Sequence, residues 1–502
     1  MKTSMFFAAT LVAMTGFGAA AQDLKPQVVI PVPGKSTIIS KMSDNGVWGV
    51  SETASTTDGD LRPRGGTLFN LETLQTTSIT DASGLAGVAD VTDDGSRVAG
   101  ECQGKPAYWK ASDKSWTILP MPEGFVGGRL NAITPDGKYA AGYLVPNHGE
   151  WNAFPAFYDL SANEFVELPN LPVYDMTHQD MDQSVFYGMS ADGRYLLGYM
   201  SMSYLMPAGL CVYVYDRDDN TYDFIGFTPD DVKDWEPDVP NTLWIGDPAM
   251  SNNGLWVTGT AYMVTEVAGS AFPIEERRPF RYDVKNKKIE IYTDTESANS
   301  VGFSIDNNGY VYAASPATNP YATAMFRSGN YMVSLEQILR QVYGMDFMEM
   351  SSFQNSGKTL SVSDDGLTLL MIPTTEDTYL LRLPEPVSDL AGRVKLLAEY
   401  TVDPVDGVEM SKLQSFNITF TRDVVVKGNS NKITFKSEDG KTSYNPVGSN
   451  GFVAEGKKVT VTFRSRDLEP GVKYTLTIPQ GMIVLKEDNS IAADEISLSY
   501  NG

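Results

Sequence analysis

The chain has 502 residues, with 63 Asp and Glu against 39 Lys and Arg and a formal net charge of −24. Charge of that sign repels phosphate backbones and anionic lipid, which sets aside nucleic acid as a partner. Two histidines and two cysteines leave no room for a multi-histidine metal centre, and 44 glycines among frequent β-branched and aromatic residues point to an all-β protein.

In chain order, the first expected element is a secretory signal peptide over residues 1–21. Lys2 supplies its positive end, Met5 to Phe17 its apolar stretch, and Ala19-Ala20-Ala21 a small-residue cleavage site before Gln22. No Cys follows to take a lipid, and no later stretch reaches the roughly 20 unbroken apolar residues of a spanning helix. The expectation is an exported protein, periplasmic or extracellular at the cell surface, without membrane insertion.

A repeat then runs to about residue 384. "KMSDNGVWGVS" (Lys41 to Ser51), "DVTDDGSRVAGE" (Asp90 to Glu101) and "MSADGRYLLGY" (Met189 to Tyr199) are three of its seven copies. Their shared glycines are Gly46, Gly95, Gly137, Gly193, Gly254, Gly309 and Gly366, 42 to 61 residues apart. Asp-Gly or Asn-Gly between alternating runs is the strongest short signal of a β-hairpin, since both residues tolerate positive φ. Each turn precedes a second hairpin whose first strand reads like "PAYWK" (Pro106 to Lys110) or "PFRYD" (Pro279 to Asp283). Four strands every ~50 residues describe a propeller blade, so seven copies predict seven blades. The seventh runs out of chain at Pro384-Glu385-Pro386, and "QVVIPVPG" (Gln27 to Gly34) reads as its missing outer strand. That strand is expected to close the ring and cover an open edge.

The repeat resembles the extracellular HAF-repeat proteins and, more loosely, TolB-type and WD40-like propellers with an S-x-D-G-K turn. Pro155-Ala156-Phe157 and Pro106-Ala107-Tyr108 stand where the first family carries His-Ala-Phe. The residues that carry the resemblance, within Thr37 to Leu383, are structural, so it implies a fold and no catalytic residue.

"SLEQILRQVYG" (Ser334 to Gly344) predicts the one helix, opened by a Ser334/Gln337 capping box and ended by Gly344. Residues 385–393 read as a linker, with Pro384 to Asp389 a stiff hinge. Residues 394–502 show period-2 strands such as Phe416 to Phe420 and Tyr474 to Ile478, which suit an Ig-like β-sandwich. Here "VDPVDGVEMS", "ITFTRDVVV" and "LEPGVKYTLTIPQGMI" resemble bacterial Ig-like domains of the SbsA type, which implies a spacer, adhesion or binding module. The fold class is therefore an all-β, seven-bladed β-propeller with a C-terminal Ig-like β-sandwich.

Hairpin turns are short on one face of such a ring, while the connections on the other face are long in blades three to five: 145–152, 169–183, 201–209, 227–248 and 261–276. Loops of this length in a compact repeat commonly carry function. They hold Trp151, Tyr174, Asp175, His178, Tyr204, Asp231, Trp235 and Trp244, joined by His148, Tyr262, Asp230, Asp234 and Asp247. Aromatic rings stack on sugar faces and carboxylates accept hydroxyl hydrogen bonds, so these eight are the candidate ligand-binding residues, with packing of the loops onto the blades as the competing role. Trp48, Trp109, Trp116 and Trp256 sit on strands and read as packing, and Cys102 and Cys211 as two buried thiols.

"DRDDNTYD" (Asp216 to Asp223) spaces its acids like a calcium loop, but Thr221 and Phe227 replace the required Gly and Glu, and a hairpin turn is expected there. "IEERR" (Ile274 to Arg278) reads as a solvated loop end. No metal, cofactor or catalytic residue is assigned, for no linear catalytic motif occurs. The reading is an exported non-catalytic binding or scaffold protein whose propeller face recognises a glycan or a cell-surface protein. One alternative is a carbohydrate-active enzyme, glycosidase or lyase, with His178 beside Tyr174 or Asp175 as acid and base. Another is a structural subunit of a surface assembly.

Overall fold

The computed structural model describes residues 26–29, 39–53, 63–147, 153–172, 183–201, 210–226, 243–265, 274–292, 301–316, 321–328, 331–345, 353–354, 360–371 and 378–502. The chain divides into two compact units at Gly392 and Arg393.

The first unit is a seven-bladed propeller. Six antiparallel sheets are built on four consecutive strands each, from blade one (Lys41–Met42, Trp48–Glu52, Gly66–Asn70, Thr76–Ile79) to blade six (Val301–Ile305, Val311–Pro316, Tyr321–Ser328, Tyr331–Ser334), where Phe353–Gln354 adds a fifth strand against Tyr321 and Ala322. Blade seven has only three strands of its own: Leu360–Val362, Thr368–Met371 and Tyr379–Arg382. Gln27–Val29 completes it, in register Gln27 to Arg382, Val28 to Leu381 and Val29 to Leu380. The first strand of every blade packs against the first strand of the next, and that of blade seven against that of blade one. Seven inner strands therefore surround one axis. Two more bonds span the closure: Ile39 N donates to Thr378 Oγ1 at 3.0 Å, and Arg382 donates to the Leu71 carbonyl.

Each repeat turn is built the same way. The turn glycine donates its N–H to the carbonyl three residues back, as in Gly46 to Ser43 and Gly193 to Ser190, both 2.9 Å. In six turns a Ser or Thr hydroxyl also bonds the Asp or Asn two residues on, as in Thr92 to Asp94 at 2.7 Å. Glycine is required for a second reason, since the turn of one blade lies on the blade before it. A Cβ on Gly95 would overlap the Trp48 indole, one on Gly193 would meet Tyr139 at 2.7 Å, and one on Gly309 would meet Trp256 at 2.8 Å. The core is correspondingly divided among the interfaces between sheets. Val50, Leu68 and Ile79 of blade one pack with Val88, Val98 and Trp109 of blade two, and Ile39, Met42 and Phe69 pack with Leu370 and Leu380 of blade seven.

Helix α1, Leu335–Tyr343, has the expected capping box from Ser334 and Gln337 and a left-handed Gly344 at its end, and it packs on blade six. The expected linker is not a free tether over most of its length. Val387–Ala391 forms a short helix, α2, whose Val387, Leu390 and Ala391 are buried, and Val387 N bonds to the Gly366 carbonyl. Three apolar residues within five, following Pro386, give it a face to bury, and it packs against the Tyr321–Ser328 strand of blade six and against α1.

The second unit is an Ig-like sandwich. One sheet joins Tyr400–Asp403, Phe416–Phe420, Lys458–Val461 and Phe452–Glu455, and the other joins Ser443–Tyr444, Thr434–Ser437, Lys473–Ile478 and Ile496–Asn501. Between them Phe435 stacks on Tyr474 at 5.3 Å, and Phe416 lies 5.0 Å from Tyr500 and 5.8 Å from Phe463.

Candidate functional site

The seven repeat turns meet at one mouth of the ring, where they are bonded to one another. Asp364 N donates to Asp44 O at 2.8 Å, Ala191 N to Asn252 O at 2.7 Å, and Asn45 N to Asp93 Oδ1 at 3.0 Å. Asn252 Nδ2 reaches Asp364 Oδ2 at 2.6 Å across the position of blade six. Like charges crowd here. Burial, then the nearby Asp90 carboxylate, pushes Asp44 up to about 8, with Lys41 opposing and Asp364 and Asp93 adding. Burial likewise raises Asp90, whose carboxylate accepts from Ile133 N at 3.1 Å and Val91 N at 2.9 Å. Lys41 is exposed and lies within electrostatic reach of Asp90 and Asp44. Asp90 raises its pKa, against the effect of burial.

A second cluster lies at the other end of the same strands. The sixth residue past the turn glycine is Glu52 in blade one, Glu101 in blade two, Tyr143 in blade three, Tyr199 in blade four and Thr260 in blade five. These positions lead into the connections between hairpins. Arg129, on the inner strand of blade three (Phe125–Ile133), joins them, with Nη2 2.8 Å from Glu52 Oε1 and Nη1 3.8 Å from Glu101 Oε1. Its Nη2 also donates to Val88 O at 2.9 Å, while Val88 N donates to Glu52 Oε1 at 3.0 Å. Gly142 permits this placement, because a Cβ there would collide with the Arg129 carbonyl. Burial pushes Glu101 up against the pull of Arg129, and burial raises the phenols of Tyr143 and Tyr199. Tyr187, at a bulge in the inner strand of blade four, stands 54% exposed near Tyr199 and Lys41. Thr260 Oγ1 is buried with no hydrogen-bond partner among the described residues. The arrangement offers a guanidinium, two carboxyls and phenol hydroxyls on one side of the ring, a set suited to holding hydroxyl-rich or peptide ligands by hydrogen bonds.

Of the eight residues singled out from the sequence, Trp151, Tyr174, Asp175, His178, Tyr204, Asp231 and Trp235 lie outside the described residues, as does His148. Trp244 belongs to the inner strand of blade five (Leu243–Met250), opposite Tyr262, so it is not in a loop. Of the connection expected over 261–276, residues 261–265 and 274–276 are strand, and 266–273 lie outside the described residues. Trp256–Thr265 pairs with Ile274–Asp283 along ten residues, and the "IEERR" segment is part of that ladder, with Arg277 over the Tyr262 ring at 5.3 Å and Arg278 3.2 Å from Glu276. Four consecutive charged residues, Glu275 to Arg278, hid the strand there, since they break the alternation that begins at Phe280. Three of the four acids of "DRDDNTYD" surround one cation, with Arg194 contacting Asp216 at 2.7 Å, Asp219 at 3.4 Å and Asp218 at 3.6 Å, while Asp223 pairs with Lys287 at 3.2 Å. Cys102 and Cys211 are buried free thiols, and Trp109 is 1% exposed.

Sequence reasoning missed Lys41, Asp44, Asp90 and the Arg129 cluster. Aligning the seven turns position by position would have singled out Lys41 and Asp90, though not what they meet. The place of Lys41 and Asp90 is held by Ala132, Gly188, Ala249, Ser304 and Ser361 in the other blades.

Together these features define the class: an all-β chain with a closed propeller followed by an Ig-like module. Residues 400–501 match the family described as bacterial Ig-like domain. No curated protein sequence matches the chain. Among solved structures, TolB from Acinetobacter baumannii is similar at 13% identity and a TM-score of 0.34, over 68% of this chain and 65% of TolB, so the chain spans just under two thirds of that protein. An oligogalacturonate lyase from Vibrio parahaemolyticus is similar at 10% identity and a TM-score of 0.44, over 71% of this chain and 94% of the lyase. The β-propeller domain of the trilobed protease from Pyrococcus furiosus is similar at 11% identity and 0.39, over 70% and 94%. These are likenesses of fold.

Proposed function

We propose that the chain is an exported, non-catalytic binding or scaffold protein whose propeller recognises a glycan or a protein partner. Recognition falls on the side of the ring where the long connections of blades three to five leave the strands. The observation that carries this reading is the Arg129, Glu52 and Glu101 cluster of blades one to three, at the same end of the strands as Tyr143 and Tyr199, whose strands feed the long connections of blades three and four. A partly buried Arg between two carboxyls is costly to keep for stability alone, and it is prearranged for ligand hydrogen bonds. The N-terminal leader read from the sequence and the bacterial Ig-like domain support export. No helix among the described residues is long and apolar enough to cross a membrane.

The test is binding of the full chain to a panel of polysaccharides, peptidoglycan fragments and cell-surface proteins. Arg129→Met, Trp235→Ala and Trp244→Ala are expected to abolish binding while thermal unfolding stays cooperative. Absence of any ligand, with variants that lose stability alone, would refute the reading. The enzyme alternative rests on Asp44, a carboxyl held protonated near neutrality beside Asp90, which is the kind of pair acid–base chemistry uses. Release of reducing ends from a glycan panel, abolished by Asp44→Asn or His178→Ala, would favour it.

A further inference from the structure

The Ig-like unit contains a cavity of about 330 Å3 that is independent of the propeller clusters. Its floor is apolar: Leu413, Pro446 and Phe463 are buried, and Phe463 is fixed by edge contact with Phe416 at 5.8 Å. Its rim is polar, formed by Tyr444, Asn445, Arg464 and Arg466. The walls are tied together by backbone bonds, Val447 N to Thr462 O and Thr462 N to Gly451 O, each 2.8 Å.

Two features of the rim point outward to a ligand. Arg464 and Arg466 take part in no ion pair among the described residues, although the chain carries 63 acids to 39 bases. Arg466 only overlies the Tyr444 ring, at 6.0 Å, while the neighbouring Asp467 faces Lys412 at 3.8 Å. Asn445 spends its Nδ2 on the carbonyls of Asn431 at 3.0 Å and Ile433 at 2.9 Å, which fixes the side chain and leaves Oδ1 as a free acceptor for a hydroxyl.

We propose that this cavity binds an acidic sugar residue through its carboxylate or sulfate. Guanidinium groups recognise such anions with paired hydrogen bonds, and two of them side by side supply charge that Lys would not direct. The apolar floor and the Tyr444 ring accept the flat face of a sugar, and Asn445 Oδ1 accepts from a ring hydroxyl. A volume of ~300 Å3 is at the small end of ligand pockets and holds one or two sugar rings, not an extended peptide.

The experiment is calorimetric titration of the full-length protein with a glucuronate-containing disaccharide, a sulfated disaccharide, a neutral disaccharide and poly-glutamate. The expected result is that both acidic sugars bind, weaken as salt rises, and bind at least about tenfold more weakly to the Arg464→Gln/Arg466→Gln variant at unchanged melting temperature. Arg464→Lys/Arg466→Lys is expected to fall between the two. Binding of the neutral sugar with equal strength, equal binding of poly-glutamate, acidic-sugar binding that survives the double Gln variant, or no binding at all would each overturn the assignment. Failure here leaves the propeller reading intact, since Arg129→Met tests that separately.

Discussion

Gly95→Ala tests the blade-to-blade packing on which the ring depends. Gly95 has φ +67°, where an L-residue costs about 1–2 kcal/mol. Its added Cβ would also enter the Trp48 indole of the preceding blade, well inside van der Waals contact. Trp48 is held between that turn and the Val50, Val98 and Trp109 cluster, so it has little room to yield. Overpacking of this kind costs about 1–3 kcal/mol. Gly95→Ala is therefore expected to cost about 2–5 kcal/mol in urea unfolding. Gly104 supplies the control, with φ +72° and nothing within 4 Å of a Cβ, so Gly104→Ala should cost only the backbone part, about 1–2 kcal/mol. In a Trp48→Ala background the two substitutions should cost the same. If they already match in the wild-type background, the contact between blades one and two is not as described, and the same argument at Gly193 and Gly309 falls with it.

Deleting residues 22–34 removes the strand that pairs with Tyr379–Arg382, exposing the edge of blade seven. Cooperative unfolding should be lost or shifted down by several degrees, and an unchanged transition would contradict closure by this strand. Asp44 should make the protein less stable as pH rises. Its folded pKa of about 8 exceeds the ordinary 3.8, so its stabilising protonation is complete below about pH 4 and is lost as pH climbs through about 8. Asp44→Asn should remove much of the stability difference between about pH 5 and about pH 8, and an unchanged difference would show that Asp44 is not the group responsible. Cys102 and Cys211 are buried, and burial with the nearby Asp81 pushes Cys102 up to about 11. Neither should react with a thiol reagent until the chain unfolds, and rapid labelling of folded protein would contradict their placement.

The architecture was legible because a propeller repeats its most demanding feature. Asp-Gly and Asn-Gly turns announce positive φ in the sequence, and seven of them at similar spacing leave few arrangements. Gln27–Val29 could be assigned to blade seven because the missing strand had to come from somewhere, while residues 30–34 of that expected strand lie outside the described residues. Local pattern was weaker where charge overlay a strand, as at Glu275 to Arg278, and where a short helix formed over Val387–Ala391 against blade six and α1. The polar clusters were not legible from composition or motif. Lys41 and Asp90, or Arg129, Glu52 and Glu101, come from different blades and meet only once the ring is closed.

A repeat also shows which of its charges packing does not require. At the position shared by Lys41 and Asp90 the other blades hold Ala, Gly or Ser, so the fold itself asks for a small residue there. Asp90 has a local structural role, since its carboxylate ties the Ile133 N–H of blade three to blade two. Lys41 has none of that kind: it makes no ion pair within bonding distance among the described residues and acts on Asp90 and Asp44 through space. Its charge eases the ionisation of two carboxyls that burial would otherwise keep protonated. Lys41→Met should therefore cost little near pH 4, where those carboxyls are neutral, and progressively more toward about pH 8, where they must ionise without a cation. Urea unfolding of the variant and wild type across that range measures it. A cost that stayed constant with pH would mean that Lys41 is held for packing, and that its charge plays no part in the ionisation of Asp44 and Asp90.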